Sequence, residues 1–336
     1  LLIKFVGKQY FYLLYLSVEP FLERLNNMLK RKYFFVFIFT HILYSALGQQ
    51  DPQFSQNMFN QMAINPGYAG SQDMVCINAL YKQQWMGFGE GSPATNAVNI
   101  NSSIKPFGIK SGVGLSILND RIGFNNDLGL NLSYALRIKT DKGMLGIGAS
   151  GGFVNNVINP TWKAGTLTDV AIPAKKESSV NLDLGFGLFF NTESMYFGAS
   201  ATHLNQAQLY NSTNGGHYVR HYYLTGGYLL DLPNPSWQVG PSVFIASDLV
   251  KTQFTLTSTL KYNKKFWGGV SYRIGEAFTA MLGLELFNGL KVGYAYDYST
   301  SPISGYNSGS HELMLGYSFT LKKERPPQQY KSIRFL

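Results

Sequence analysis

Five histidines (His41, His203, His217, His221 and His311) and one cysteine, Cys76, are the side chains with most chemistry to offer. His217 and His221 stand four positions apart, a spacing that makes a zinc pair on a helix but only repeats one face of a strand. No other histidine has a second histidine and a carboxylate at ligand spacing, so neither a metal nor a cofactor is expected. Serines are plentiful, and His203 or His311 could serve a lipase-like triad, but no spacing singles out a nucleophile, a base and an orienting residue. No catalytic residue is assigned, and the chain reads as a non-enzyme. Cys76 cannot form an internal disulfide and reads as a half-buried apolar side chain. Gly146, Gly148, Gly151 and Gly152 lack the following helix that a phosphate loop requires, so they read as crowding on the inner face of a strand.

The elements that carry these residues are strands. The 336 residues include 35 Gly, 22 Tyr and 24 Phe but only 14% charged residues, with a mean hydropathy of −0.07. A bundle of membrane helices would push hydropathy well above zero, and a water-facing globule usually carries about 25% charge. Glycine and aromatic excess with few charges fits a transmembrane barrel. Of the net charge of +9, residues 1–48 supply six basic and two acidic groups, leaving 22 against 17, a net +5. The remaining basic residues form no stripe, which argues against nucleic acid.

Met28-Leu29-Lys30-Arg31-Lys32, an apolar run from Tyr33 to Leu43 and Ala46-Leu47-Gly48 form the charged, apolar and small-residue regions of a secretory signal. The signal peptide is placed at 28–48. Residues 1–27 read as an untranslated or misannotated extension.

Beyond residue 73, alternation with period two dominates. Leu128, Leu130, Leu132, Tyr134, Leu136 and Ile138 interleave with Gly129, Asn131, Ser133, Ala135 and Arg137. Val180 to Leu188, Phe254 to Tyr262, Leu290 to Tyr298 and Leu313 to Leu321 repeat the pattern. Strands of about 9–13 residues suit a tilted membrane crossing better than a soluble sandwich. The second face is small and polar with isolated charges (Arg137, Asp183, Lys261, Arg273, Glu285, Asp297), as a polar lumen requires. The expectation is an all-β, antiparallel transmembrane β-barrel of about fourteen strands over 74–321, in the cell outer membrane. The strands near 217–230 and 238–247 alternate poorly and Pro241 interrupts the second, which leaves the count open by two. Tight turns such as 140–143, 191–194 and Asn288-Gly289 alternate with mostly longer loops, notably 155–178, 205–216 and 299–310. Short turns belong on the periplasmic side. A segment at 49–73 and a tail at 322–336 would then both be periplasmic.

Three places read as interaction surfaces. Asp51, Pro52 and Phe54 open a polar, irregular segment that is either a plug or rim or a docking strand for periplasmic partners. Trp85 and Phe88, in the first loop, are either interface-belt anchors or partner contacts. Trp162 and Lys163, in the 155–178 loop, pair an aromatic with a cation.

Asp51-Pro52-Gln53-Phe54-Ser55-Gln56, Ala63-Ile64-Asn65-Pro66-Gly67-Tyr68-Ala69-Gly70-Ser71 and Gln84-Trp85-Met86-Gly87-Phe88 carry a family resemblance. Gly114-Leu115-Ser116-Ile117-Leu118-Asn119-Asp120 and the run from Gly309 to Tyr317 extend it across most of the chain. The chain resembles the PorP/SprF membrane proteins of type IX secretion in Bacteroidetes. That resemblance implies a non-enzymatic outer-membrane component supporting export or surface anchoring of a secreted protein, such as an adhesin of gliding motility. It implies as partners that secreted protein, the periplasmic secretion ring and peptidoglycan-binding components, besides outer-membrane lipid. The rival reading is a porin or a hydrophobic-compound channel. The tail 322–336, with Pro326-Pro327, departs from barrels that end on a strand-terminal aromatic.

The leader generates the first prediction. N-terminal sequencing of the protein from its host's outer membrane should begin at Gln49, and a start upstream of Met28 would refute both the cleavage site and the reading of 1–27.

Overall fold

The computed structural model describes residues 51–159, 175–208, 217–286 and 288–320, which belong to one unit, Gln49–Leu336. The expected extension, signal peptide, Trp162, Lys163 and tail lie outside the described residues.

Antiparallel strands form the wall of this unit. They are β1 (Val75–Gln83), β2 (Ala94–Ile104), β3 (Ser111–Ile122), β4 (Asn125–Lys139), β5 (Met144–Ile158), β6 (Glu177–Asn191) and β7 (Met195–Thr202). After these come β8 (His221–Tyr228), β9 (Leu230–Asp231), β10 (Trp237–Ser247), β11 (Thr252–Tyr262), β12 (Phe266–Arg273), β13 (Ala277–Glu285), β14 (Leu290–Ser299) and β15 (Ser310–Phe319). Each pairs with its neighbours, and β15 pairs back onto β1 from Val75↔Phe319 to Gln83↔His311, closing the barrel. Closure satisfies the main-chain groups that an open edge would expose to lipid.

β8 and β9 are two stretches of one wall strand, both paired with β10, so the wall has fourteen strands. The break explains the weak alternation near Pro241. Ser242 pairs with Gly227 and Val239 with Leu230, so Pro241 falls where the β8–β10 ladder lapses between them. A proline has no main-chain N–H to give to that ladder, and the strand continues past it because none is needed there.

The facing assignment holds. Leu128 through Ile138 on alternate positions of β4 are exposed on the outer surface, while Ser133, Ala135 and Arg137 are buried inside. The same division runs through β6, β11 and β15, with Asp183, Thr255, Thr257 and Glu312 inward. One expectation fails: Gly151 has the outward parity of β5 and lies near Leu184, whereas Gly146, Gly148 and Gly152 point in.

Loop lengths alternate less strictly than expected. At the end holding 105–110, 140–143, 192–194, 232–236, 263–265 and 286–289 every connection is short. At the other end 84–93, 159–176, 203–220 and 300–309 are long, but 123–124, 248–251 and 274–276 are as tight as any. The tight turns there have their own local chemistry. Gly123 and Gly275 adopt positive φ (58° and 77°), and the Asp248 carboxylate accepts from the main-chain N–H of Val250 and Lys251.

Leu132 lies at the centre of β4 on the outer face, whereas Ile138 is one residue from the strand's end on the same face. Leu132→Arg should cost about 2–4 kcal/mol in reversible refolding into phospholipid vesicles, and Ile138→Arg about 0–1 kcal/mol. Equal costs at both depths would contradict this placement of the wall in the bilayer.

Candidate functional site

The lumen is occupied. Residues 51–72 run through its interior from the long-loop half, near His221, to the short-turn end beside Gly112 and Arg137, before entering β1. Three groups of wall residues hold this plug, and each answers a different physical problem.

The first is a buried charge cluster from β1, β14 and β15. Lys82 Nζ lies 2.8 Å from Asp297 Oδ2 and 3.7 Å from Glu312 Oε2, all three side chains being at most 5% exposed. Charges so deep are stable only if every remaining hydrogen-bonding position is filled. The plug fills them. Lys82 donates to the Gln53 carbonyl at 3.0 Å and to Ser55 Oγ at 3.1 Å. Ser55 Oγ donates to Asp297 at 2.6 Å, and Thr279 Oγ1 donates to the same carboxylate at 2.8 Å. Glu312 accepts the main-chain N–H of Ser55 at 2.7 Å and of Gln56 at 2.8 Å, one on each oxygen. Beside it Phe54 is buried with Leu80, Trp267, Met281 and Met314, an apolar cluster inside the barrel.

The second group is a wall of glycines around 65–70. Asn65 caps the short turn Pro66–Tyr68: its side chain accepts from Gly67 N at 2.9 Å and donates to the Leu188 carbonyl at 2.9 Å. Asparagine before proline is a natural start for such a turn, since proline occupies a position whose N–H has no partner. The turn then touches the wall main chain directly. A β-carbon at Gly112 would run into the Ala69 carbonyl, at Gly148 into the Pro66–Gly67 peptide, and at Gly187 into the Asn65 amide. Arg137 donates to the Gly67 carbonyl at 3.2 Å, and Tyr68 packs edge-on against Phe189 at 5.0 Å.

The third group surrounds Asp51. His203 Nε2 lies 3.1 Å from its carboxylate, and His203 Nδ1 lies 2.8 Å from Asp183. Tyr223 donates to Asp51 at 2.7 Å, and the Asp51 N–H donates to His221 Nε2 at 3.2 Å.

Of the expected interaction residues, Asp51 and Phe54 therefore contact the barrel wall, and Pro52 lies half-buried between them. The segment lies inside the barrel, where the wall's buried charges bond its main chain. Trp85 and Phe88 stand at the long-loop end with ring centroids 6.0 Å apart, Phe88 exposed. Their loop is braced by the 300–309 loop through Met86 N–Gly309 O at 2.8 Å and Ser308 N–Met86 O at 2.7 Å. Lys82 and Glu312 were not singled out from sequence, although their positions on the inward parity were readable, and His221 was weighed only against His217. The plug does not fill the whole cross-section. A cavity of about 330 Å³ remains toward the short-turn end, between Met58, Phe59 and Tyr68 of the plug and Tyr196, Lys261 and Trp267 of the wall.

Lys82→Met leaves two buried carboxylates without their cation, a change that typically costs about 3–5 kcal/mol. We expect that loss in detergent unfolding, with faster hydrogen exchange confined first to residues 51–60. Adding Asp297→Asn and Glu312→Gln should recover part of it. Unchanged exchange at 51–60 would show that the cluster does not hold the plug.

The model of a family described as type IX secretion system membrane protein PorP/SprF matches residues 46–317. No curated protein matches the chain. Several solved structures are similar to this chain at low identity. The toluene transporter TbuX of Ralstonia pickettii is 11% identical, covering 77% of this chain and 92% of its own, with a TM-score of 0.47. The CymD monoaromatic hydrocarbon channel is 12% identical over 83% and 96%, also at 0.47. Omp33 of Acinetobacter baumannii is 8% identical over 73% and 98%, at 0.46. With the family match spanning the plug and almost the entire barrel, this chain belongs to the PorP/SprF family of type IX secretion system membrane proteins, as an outer-membrane β-barrel.

Proposed function

We propose that the protein is a non-enzymatic component of type IX secretion that supports export or surface anchoring of a secreted protein, such as an adhesin of gliding motility. In this reading it acts as a plugged scaffold and not as an open pore. The observation that carries this is the lumen: a barrel whose own residues 51–72 are bonded to the wall by buried charges, glycine contacts and Asp51 is built to keep that path filled. A diffusion porin needs a hydrated passage, and its inward charges would face water, not main-chain partners.

The two ends of the barrel differ in what they offer. The short-turn end, where the plug enters β1, faces the periplasm and meets the secretion ring and peptidoglycan-binding components. The long-loop end faces outward, with the braced Trp85–Phe88 loop and the segment holding Trp162 and Lys163 as the surface for the secreted partner.

Deleting residues 160–174 should abolish retention of the partner at the cell surface, read by immunolabelling, while heat-modifiable barrel migration stays normal. In planar bilayers the purified wild-type barrel should remain closed. Normal surface display after the deletion would remove the anchoring role from this loop, and large, steady wild-type openings would favour the porin or hydrophobic-compound channel instead.

A further inference from the structure

We propose that Asp51, His203 and His221 form a zinc site that fastens the plug to the wall. The three residues come from separate parts of the chain: the start of the plug, the residue after β7 and the first residue of β8. One ligand atom from each lies within 4.8 Å of the others.

The surroundings of these three residues distinguish the group from an ordinary ion pair. A histidine that binds a metal through one ring nitrogen almost always donates the other N–H to a carboxylate or a main-chain carbonyl. Both histidines are arranged so. His203 Nδ1 is 2.8 Å from Asp183 Oδ1, which leaves Nε2 directed at Asp51, and Asn131 in turn donates to the other oxygen of Asp183 at 2.9 Å. His221 Nδ1 is 3.0 Å from the Val219 carbonyl, and its Nε2 accepts the Asp51 main-chain N–H at 3.2 Å, a bond that an ion held by Nε2 would replace. Tyr223 OH holds one Asp51 oxygen at 2.7 Å, and the Tyr218 ring stacks on His203 at 4.7 Å. A simple ion pair with Asp51 would need one imidazole; here two imidazoles, each oriented by its own acceptor, meet at one residue, His203 at its carboxylate and His221 at its main-chain N–H.

Two imidazoles and one carboxylate are a borderline donor set that suits zinc and excludes calcium or magnesium, which take oxygen ligands. Three protein ligands leave one coordination position for water or for a donor from a partner. Because Asp51 belongs to the plug and the histidines flank wall strands β7 and β8, the ion would tie the two together, independently of any role in secretion.

The test uses the mature protein purified in detergent, stripped with a chelator and dialysed against Zn2+, with metal content read by mass spectrometry and affinity by calorimetry. One Zn2+ per chain is expected, lost in His203→Ala and His221→Ala. Asp183→Asn, which leaves all three ligands in place, should weaken binding by about 10–100-fold. Co2+ in place of Zn2+ should give visible d–d absorption that neither histidine variant shows, a signature that a purely structural hydrogen-bond network would not produce. Should the histidine variants fail to fold, the Asp183→Asn affinity and the wild-type Co2+ spectrum still decide. Wild type binding no Zn2+, or Asp183→Asn binding as tightly as wild type, would overturn the proposal.

Discussion

Lys82, Asp297 and Glu312 put three charges where bulk water does not reach, and the main chain of the plug completes their hydrogen bonding. Each partner is expensive to bury alone, and the trio is tolerable only when a carbonyl, a hydroxyl and two N–H groups arrive together. Residues 53–56 bring that set. Wall and plug thus specify each other: the barrel's inward charges require an occupant, and an irregular segment that would otherwise bury bare main chain finds ionic partners.

Space follows from the same requirement. Polar main chain can be held inside a barrel only if it approaches the wall closely enough to bond with it. At Gly112, Gly146, Gly148 and Gly187 the wall has no side chains, so the turn at 65–70 packs main chain against main chain. The glycine abundance of the composition thus has a structural use inside the barrel. The outer face obeys a separate rule, since lipid rewards apolar side chains of any shape and asks for no particular partner. Strand alternation keeps the two rules apart, which is why a leucine and an aspartate can be neighbours in β6 without conflict.

The two ends of the plug are fastened by different chemistry. Near β1 the contacts are steric and main-chain, continuous with a covalent junction at Val75. At Asp51 they are ionic and side-chain, made to His203, His221 and Tyr223.

The barrel was legible in the sequence because its cause is local. Period-two alternation, strand length and turn residues placed about fourteen strands with their outward faces, and the structure departs from that reading at Gly151, at the break between β8 and β9 and at three tight turns of the long-loop end. The family was legible too, through the runs at 51–56 and 63–71, yet their purpose was not. That Ser55 meets Glu312, or that His203 and His221 meet Asp51, depends on barrel closure and on the plug turning inward, contacts between residues up to 257 positions apart. No periodicity encodes such a meeting. His217 and His221 drew attention for their spacing along the chain, whereas the histidine that His221 approaches in space is His203, with ring centroids 6.0 Å apart. Sequence alone determined which residues face inward; only the closed barrel decided what they face, because a strand's side-chain direction is set by its own backbone and its partner by the whole fold.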